Sequence, residues 1–179
     1  MSWLRRSPAF FVRCAEVSAC PCCEEQLICI GSRRRKCISE CGESKVLVIR
    51  RLRCTQCRRI HHELPDCLVP YKRYEVNSIE SVAMDPPAHE DIAADDSTLY
   101  RWRKWVHSLL PYWLGCLQAI AIRYQQAPVK ERSVPSQSAH HPFGPYVGDA
   151  PGWLARIVQT LTHLNLWVHT RSAFLSGNT

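Results

Sequence analysis

Two Cys-x-x-Cys motifs constrain the fold of this chain more than any other feature of its sequence. The first contains Cys20 and Cys23, the second contains Cys54 and Cys57, and residues 24–53 separate them. Each motif forms a turn that directs two thiolates to one point, and a hairpin can join the two turns into a tetrahedral site. Four soft thiolates suit Zn²⁺, and a closed site of this kind is structural. The motifs therefore predict one structural zinc ion.

The chain has 11 cysteines, so other ligand sets stay open. Cys22 lies inside the first motif and could replace Cys23 as a ligand. A second zinc ion could be held by residues with suitable ligand atoms: Cys37, Cys41, His61, His62 and Cys67. The alternative is that Cys37 and Cys41 lie on a hairpin extension and bind nothing, and that the two histidines are surface or phosphate-facing residues.

The N-terminus indicates the compartment. The apolar run of residues 8–12 is bounded by Arg6 and Arg13, and it is too short for the core of a signal peptide. In the reducing cytosol, paired cysteine motifs usually bind metal and do not form disulfides. We therefore expect a cytoplasmic protein.

One stretch could suggest a membrane span. Residues 105–122 carry no formal charge and reach the lower limit of length for crossing a bilayer. Polar and helix-breaking residues interrupt them: His107, Ser108, Pro111, Gly115 and Gln118. A buried helix or helix pair fits this pattern better, and we expect no membrane partner.

Positive charge is concentrated near the cysteine motifs. The formal net charge is +7, although residues 75–96 contain acidic residues and no Lys or Arg. Basic side chains on a small rigid domain suit contact with phosphates. The candidates near the motifs are Arg33, Arg34, Arg35, Lys36, Arg50, Arg51 and Arg59. Arg53 and Arg58 lie beside the ligands and could equally compensate the anionic metal centre.

The patterns along the chain predict an α+β protein, in which a small Cys₄ zinc ribbon of β-hairpins precedes a mainly helical part. Strands are expected at residues 27–30 and 46–53, with a turn at 41–44. The predicted order is a lead-in at 1–19, the ribbon at 20–73, a helix-turn-helix with a following helix at 74–126, a linker or loop at 127–152, and an amphipathic helix at 153–179. The apolar positions of that last helix are Leu154, Ile157, Val158, Leu161, Leu164 and Val168.

The helix-turn-helix is expected to consist of helices at residues 74–84 and 89–94 and a third helix that begins after the capping signal at 95–98. Pro111 is expected to break or kink the chain before a further helix that ends near Gln125. In the third helix the candidates for contact with DNA are Thr98, Arg101 and Lys104. A helical hairpin with a merely solvated charged face is the alternative.

Several segments resemble a bacterial family, mostly of Firmicutes, that is catalogued only as a domain of unknown function. They are IRRLRCTQC (49–57), RIHHELPD (59–66), VPYKRY (69–74), STLYRWRKW (97–105), WLARIV (153–158) and LWV (166–168). Cys22, Cys37 and Cys41 fall outside that family's pattern. More broadly, a Cys₄ ribbon followed by a helix-turn-helix resembles the N-terminal DNA-binding region of insertion-sequence transposases. The resemblance implies DNA binding and a link to a mobile element, and it implies no activity.

Catalysis is not expected. After Asp96 the chain has only Glu131 and Asp149 as acidic residues, too few for a transposase nuclease site with three carboxylates. His140 and His141 lie in the predicted linker. We therefore expect a non-enzymatic protein that binds double-stranded DNA in the bacterial nucleoid. The alternative is an interaction module that binds a recombinase or other partner through the ribbon and the C-terminal helices. The DNA sequence recognised, the pathway and the oligomeric state stay open.

Overall fold

The structure, a computed structural model, describes residues 9–12, 19–84, 92–125 and 142–167. It is mixed α/β, with a sheet in the N-terminal part followed by helices. The strands are β1 (Ala9–Phe11), β2 (Leu27–Ile38), β3 (Ser44–Cys54) and β4 (Ile60–His62). The helices are α1 (Val76–Met84), α2 (Asp96–Arg123), α3 (Gly144–Val147) and α4 (Trp153–His163). The coarse expectation of a β-rich part preceding a helical part is confirmed.

Strand β3 organises the sheet. It pairs with β2 in an antiparallel hairpin, with β4 in antiparallel register and with β1 in parallel register. Strand β2 is much longer than the predicted residues 27–30, and it includes the basic run of residues 33–36. Its pairing shifts register between Cys29 and Gly31, where Gly31 has a φ of 142°. Glycine tolerates this backbone conformation, so the bulge can form without steric strain.

One face of the sheet has a small apolar core. Leu47 and Ile49 of β3 lie on this face with Cys37 of β2, and Leu68 packs on them from the segment that follows β4. These residues alternate with exposed or half-buried ones, as expected where one face of a sheet is covered. Leu68 is followed by Val69, which belongs to the helical core, so this segment connects the two cores.

A larger core lies between the helices. Trp113 of α2 stacks on Trp167, while Phe143 stacks on Trp153 at the start of α4. The fully buried residues of this core include Val69, Ile79, Phe143, Leu154, Ile157 and Leu161. Burying each large side chain contributes about 1.5–3 kcal/mol before the entropy of ordering is subtracted. Apolar burial therefore fixes α1, α2 and α4 together.

Helix α2 differs from the prediction at Pro111. Its start is as expected, because the Asp95 side chain accepts a hydrogen bond from the Thr98 N–H. The helix continues through Pro111, which is exposed, so the predicted break is wrong, while the alternative of a kink stays a prediction. Buried residues on both sides of the proline, including Leu109 and Trp113, hold both halves in one core. That burial outweighs a proline cost of about 3 kcal/mol.

The structure does not show a helix-turn-helix. The first and third predicted helices are present as α1 and α2 and pack on each other. The expected middle helix at 89–94 falls partly outside the described residues, and its described part, residues 92–94, is not helical. Two packed helices are therefore established, and the described part of the segment between them contains no helix.

The C-terminal part also departs from the prediction. The expected linker at 127–152 contains the short helix α3, which follows directly after the fully buried Phe143, while residues 127–141 lie outside the described residues. Helix α4 begins at Trp153 as predicted and ends at His163. Leu164 lies past its end and is exposed, so it does not continue the apolar face. Residues 168–179, including Val168, lie outside the described part of the chain.

Helix α2 is the one helix of the described residues that is long and apolar enough to cross a membrane by length and composition. In its most apolar window 22% of the residues are buried. The buried positions, such as Trp102 and Val106, belong to the core shared with α1 and α4. One side of α2 therefore packs in this core, while most of the apolar window is not buried.

Candidate metal centre

The two cysteine motifs form loops with the same hydrogen bonding. The Cys20 N–H donates to the Glu25 carbonyl at 2.9 Å, and the Cys54 N–H donates to the Arg59 carbonyl at 3.0 Å. In each loop, the residue after the second cysteine has a φ of 60°: Glu24 in the first loop and Arg58 in the second. Two equivalent loops of this shape each present two sulfur atoms on one side, as a bidentate metal clamp requires.

The β2–β3 hairpin brings these loops together. Cys54 ends β3 and pairs with Leu27 at the start of β2. The Thr55 N–H also donates to the Gln26 carbonyl at 3.1 Å. The residues between the motifs are therefore the body of the hairpin, as the sequence predicted, and the two loops meet at its open end.

The four sulfur atoms have the spacing of a metal site. Cys20 Sγ lies 3.7 Å from Cys57 Sγ, and Cys23 Sγ lies 3.5 Å from Cys54 Sγ. All four lie within 4.8 Å of one another. Four sulfurs placed tetrahedrally at about 2.3 Å from zinc are about 3.8 Å apart. The predicted set comes together in a geometry that could hold a metal ion.

Thiol acidity differs within the set. Burial raises the pKa of Cys20 to about 12. For Cys54 burial acts in the same direction, but hydrogen bonds from the backbone N–H groups of Cys57 and Gln56 outweigh it and lower the pKa to about 6. Without metal, Cys54 is mainly a thiolate at neutral pH and Cys20 is a thiol. A divalent cation would find one ligand ready and would displace the proton of the other.

Cys22 is not in this set of four. Arg59 donates a hydrogen bond to Cys22 Sγ at 3.3 Å. With Cys20 and His61, however, Cys22 forms a second group of three ligand atoms within 4.8 Å of one another. His61 Nε2 lies 3.5 Å from Cys20 Sγ. Burial, followed by the charge of Arg59, lowers the pKa of His61, which favours the neutral imidazole that can bind a metal.

The second site expected from the remaining cysteines does not assemble among the described residues. His61 lies beside Cys20, away from the expected set, and Cys41 is exposed. Cys37 is buried with its Sγ 3.9 Å from Glu75 Oε1. Burial, then Cys67 and Glu75, raises the pKa of Cys37 to about 11, so it is a neutral core thiol. Cys37 has a packing role because strand pairing carries it to the covered face of the sheet, and Cys67 packs against the same small core.

Several predicted DNA contacts are engaged inside the protein. Arg50 forms a bidentate ion pair with Glu63. Arg35 is half-buried and donates to the Val69 and Lys72 carbonyls at 3.1 and 2.8 Å. Arg59 is engaged with Cys22, as described above. These side chains stabilise the loops around the sheet, and part of their hydrogen-bonding capacity is already used there.

On α2, two candidates are engaged within the first turns. Thr98 donates its hydroxyl to Asp95, and Arg101 donates to the Ser97 carbonyl and to the Thr98 hydroxyl. The remaining candidates have no carboxylate partner among the described residues: Arg33, Arg34, Lys36, Arg51 and Lys104. The exposed ones lie mainly on β2.

Sequence reasoning missed two features of the site. It did not place His61 against Cys20, and it did not separate the engaged arginines from the unpaired ones. Both depend on pairings between distant residues, such as Leu52 with His61 across β3 and β4. No local spacing in the chain signals them.

The geometry thus defines a protein with a candidate Cys₄ metal site at the open end of a β-hairpin. Residues 20–102 match the model of a family described as a domain of unknown function (DUF6431). The matched segment contains all four cysteines, the sheet from β2 onward, α1 and the start of α2. No curated protein and no solved structure matches the chain. The similarity therefore supports an uncharacterised domain family.

Proposed function

We propose that the chain is a non-catalytic DNA-binding protein that uses a structural zinc ion. The observation that carries the proposal is the position of the Cys₄ cluster, which closes the open end of the β2–β3 hairpin while β2 carries unpaired basic side chains. The cluster supplies rigidity and the hairpin supplies positive charge. Together they suit a platform for a polyanion.

Zinc is the metal that suits this donor set best. Four thiolates exclude Mg²⁺ and Ca²⁺, which take oxygen ligands, and the sulfur spacing fits a tetrahedral ion. Cys20 and Cys54 are fully or almost fully buried, which suits a closed structural site. A small sheet buries little apolar area, so the bound metal would supply part of the folding energy.

Duplex DNA is the proposed partner of the hairpin. Arg34 and Lys36 are exposed, and strand alternation places both on the same face of β2. Neither has a carboxylate partner among the described residues. Exposed cations of this kind neutralise phosphates and release counterions, which favours binding to any duplex.

The biological setting is a further part of the proposal. A ribbon that precedes packed helices suits the DNA-binding region of a mobile-element protein. We propose a cytoplasmic protein at the bacterial nucleoid, acting with a transposase or recombinase. The helix-turn-helix part, with Arg101 near base edges, belongs to this proposal as well.

Salt-dependent binding of a random DNA duplex tests the proposal. Each lost phosphate contact reduces the salt slope by about 0.9. Arg34→Ala and Lys36→Ala should each show this change, whereas Arg123→Ala, at the exposed end of α2, should not. Arg101→Ala should instead reduce the difference in affinity between a selected DNA site and random DNA. A random duplex that binds no better than about 10⁻⁴ M at physiological salt would contradict DNA binding.

An interaction module is the second candidate, favoured by the end of α2. Ile122 is 79% exposed and Tyr124 is 51% exposed, and adjacent exposed apolar side chains of this size are typical of contact surfaces. A recombinase or other partner would bind there and at the ribbon. Loss of partner binding in Ile122→Ser, with DNA binding absent, would favour this candidate.

A further inference from the structure

A large groove separates the sheet from α4. Its volume is about 1230 Å³, and we call it the sheet–helix groove. One wall contains residues 33–36 of β2, β4 and the segment from Glu63 to Arg73. The other wall contains Ala155, Val158, Gln159 and Thr162 of α4 together with Trp167. The groove is much larger than the space left by imperfect packing.

The charge of the groove is strongly positive. Among the described residues, the basic ones that line it are Arg33, Arg34, Arg35, Lys36, Lys72 and Arg73, and the acidic ones are Glu63 and Asp66. Glu63 is already neutralised by Arg50. Arg33 and Arg73 are exposed and have no carboxylate partner among the described residues. An anion would therefore be attracted into the groove.

His62 lies within this positive region. Strand pairing sets it opposite Arg51, and Arg33 lies opposite Ile49, so these side chains share one face of the sheet. Arg33 and His62 both line the groove from this face.

Tyr71 presents an aromatic ring at the groove. It is 55% exposed, and its φ of 64° is costly for a residue with a large side chain. Contacts on both sides maintain this conformation. The Lys72 N–H donates to the Val69 carbonyl, Arg35 donates to the carbonyls of Val69 and Lys72, and Lys72 Nζ lies 4.1 Å from the centre of the Trp105 ring. Backbone strain held in place at an exposed aromatic residue is typical of a binding site.

Exposed cations beside an exposed aromatic ring suit an unpaired nucleic-acid strand. Proteins that bind single strands combine a positive groove along the backbone with aromatic rings on which bases stack. A flexible strand can enter a concave groove, whereas a rigid duplex contacts a projecting surface such as the hairpin. We propose that the sheet–helix groove binds one single strand, with Arg33 and Arg73 on phosphates and Tyr71 stacked on a base. This inference goes beyond duplex binding by the hairpin and does not depend on it.

Fluorescence anisotropy with the zinc-loaded full chain tests the inference. The probes are a labelled oligothymidylate of about 12 nucleotides, within the usual site size, and a random duplex of the same length. Tyr71→Ala should weaken binding of the single strand by about 5- to 150-fold, as expected for one lost stacking contact. Arg33→Ala and Arg73→Ala should each reduce the salt slope on the single strand by about 0.7.

Two controls make the result specific. Tyr124→Ala and Arg123→Ala remove an exposed ring and an exposed cation that do not line the groove, and both should bind the single strand like the unmodified chain. Tyr71→Phe keeps the ring and should also bind normally. Because Tyr71→Ala could alter the turn, its thermal unfolding is measured too. Equal losses in Tyr71→Ala and Tyr71→Phe would overturn stacking as the cause.

The outcomes separate this inference from the proposed function. If the chain binds the duplex but not the single strand, the inference is overturned. It is also overturned if none of the three groove variants changes binding of the single strand. Neither result contradicts duplex binding by the hairpin. Binding of the single strand alone, with the expected losses, supports the groove and contradicts duplex binding by the hairpin. Failure of both probes overturns both.

Discussion

The carboxylate of Glu80 on α1 accepts a 2.7 Å hydrogen bond from the backbone N–H of Leu154 in the first turn of α4. Its second oxygen accepts from the Gly152 N–H at 2.6 Å. Helix α4 has no capping side chain of its own, because Gly152 occupies the N-cap position. The first N–H groups of a helix lack partners within the helix and carry partial positive charge. Glu80 therefore caps α4 from another helix.

Replacement of Glu80 should destabilise the helical core. Glu80→Ala removes two charge-assisted hydrogen bonds and leaves buried N–H groups unsatisfied, which we expect to cost about 2–4 kcal/mol. Glu80→Gln keeps an acceptor and should cost less. Urea unfolding followed by circular dichroism measures both. The control is Glu40→Ala, at an exposed carboxylate, which should change stability by under about 0.5 kcal/mol. Equal stability of Glu80→Ala and the control would refute the capping role.

Metal content tests the Cys₄ site directly. We expect one zinc ion per chain in protein purified without added zinc, and loss of the ion with unfolding of the hairpin in Cys54→Ser. Cys116→Ser, in the middle of α2, should retain zinc and most of its stability because that residue acts as a small apolar group. Elemental analysis and thermal unfolding provide the measurements. A folded chain without zinc would contradict the site, and two ions would favour the second group of Cys20, Cys22 and His61.

Glu24 and Arg58 have positive φ values, so the effect of replacing each with glycine on stability can be predicted. Glu24→Gly and Arg58→Gly relieve a conformation that costs other residues about 1–2 kcal/mol. The gain is partly offset by greater freedom in the unfolded chain, so each variant should be neutral or slightly more stable. Gln56→Gly, in the same loop without a positive φ, should be less stable. Thermal unfolding of the zinc-loaded variants measures their stability. If Gln56→Gly were more stable than Glu24→Gly and Arg58→Gly, this loop geometry would be excluded.

Zinc affinity should rise with pH. Cys20, with its pKa raised to about 12, is protonated in the metal-free chain and must release its proton on binding. Cys54, with a pKa of about 6, adds a second proton release only below that pH. Protons therefore compete with zinc, and affinity should increase by about tenfold or more per pH unit above pH 6. Chelator competition at several pH values measures it, and a flat profile would argue against binding through Cys20.

The sequence predicts local features of the site well and tertiary ones poorly. The four cysteines are predictable because each motif has its own turn geometry, which needs no information from the rest of the chain. The N-cap at Asp95 is local in the same way. The length of β2 is not predictable, because its residues lack an apolar alternation and form a strand only by pairing with β3.

Longer-range effects decide the rest. Pro111 predicts a break, yet buried side chains on both sides of it keep α2 continuous. Glu80 meets α4 only when the helices pack, and His61 meets Cys20 only when β4 pairs with β3. The basic residues look alike in sequence, and only their partners separate Arg50, which is paired with Glu63, from Arg34. These distinctions require the assembled core.

The position of β2 at one side of the sheet has a consequence for self-association. Among the described residues, its outer backbone groups pair only near its end, where Ile38 bridges to Tyr74. A long unpaired edge can recruit the same edge of a second molecule and start aggregation. Charged side chains, such as the run of residues 33–36, oppose this pairing by repulsion between copies. Replacement of the charged residues 33–36 with neutral ones would therefore cause the protein to aggregate, whatever the chain binds.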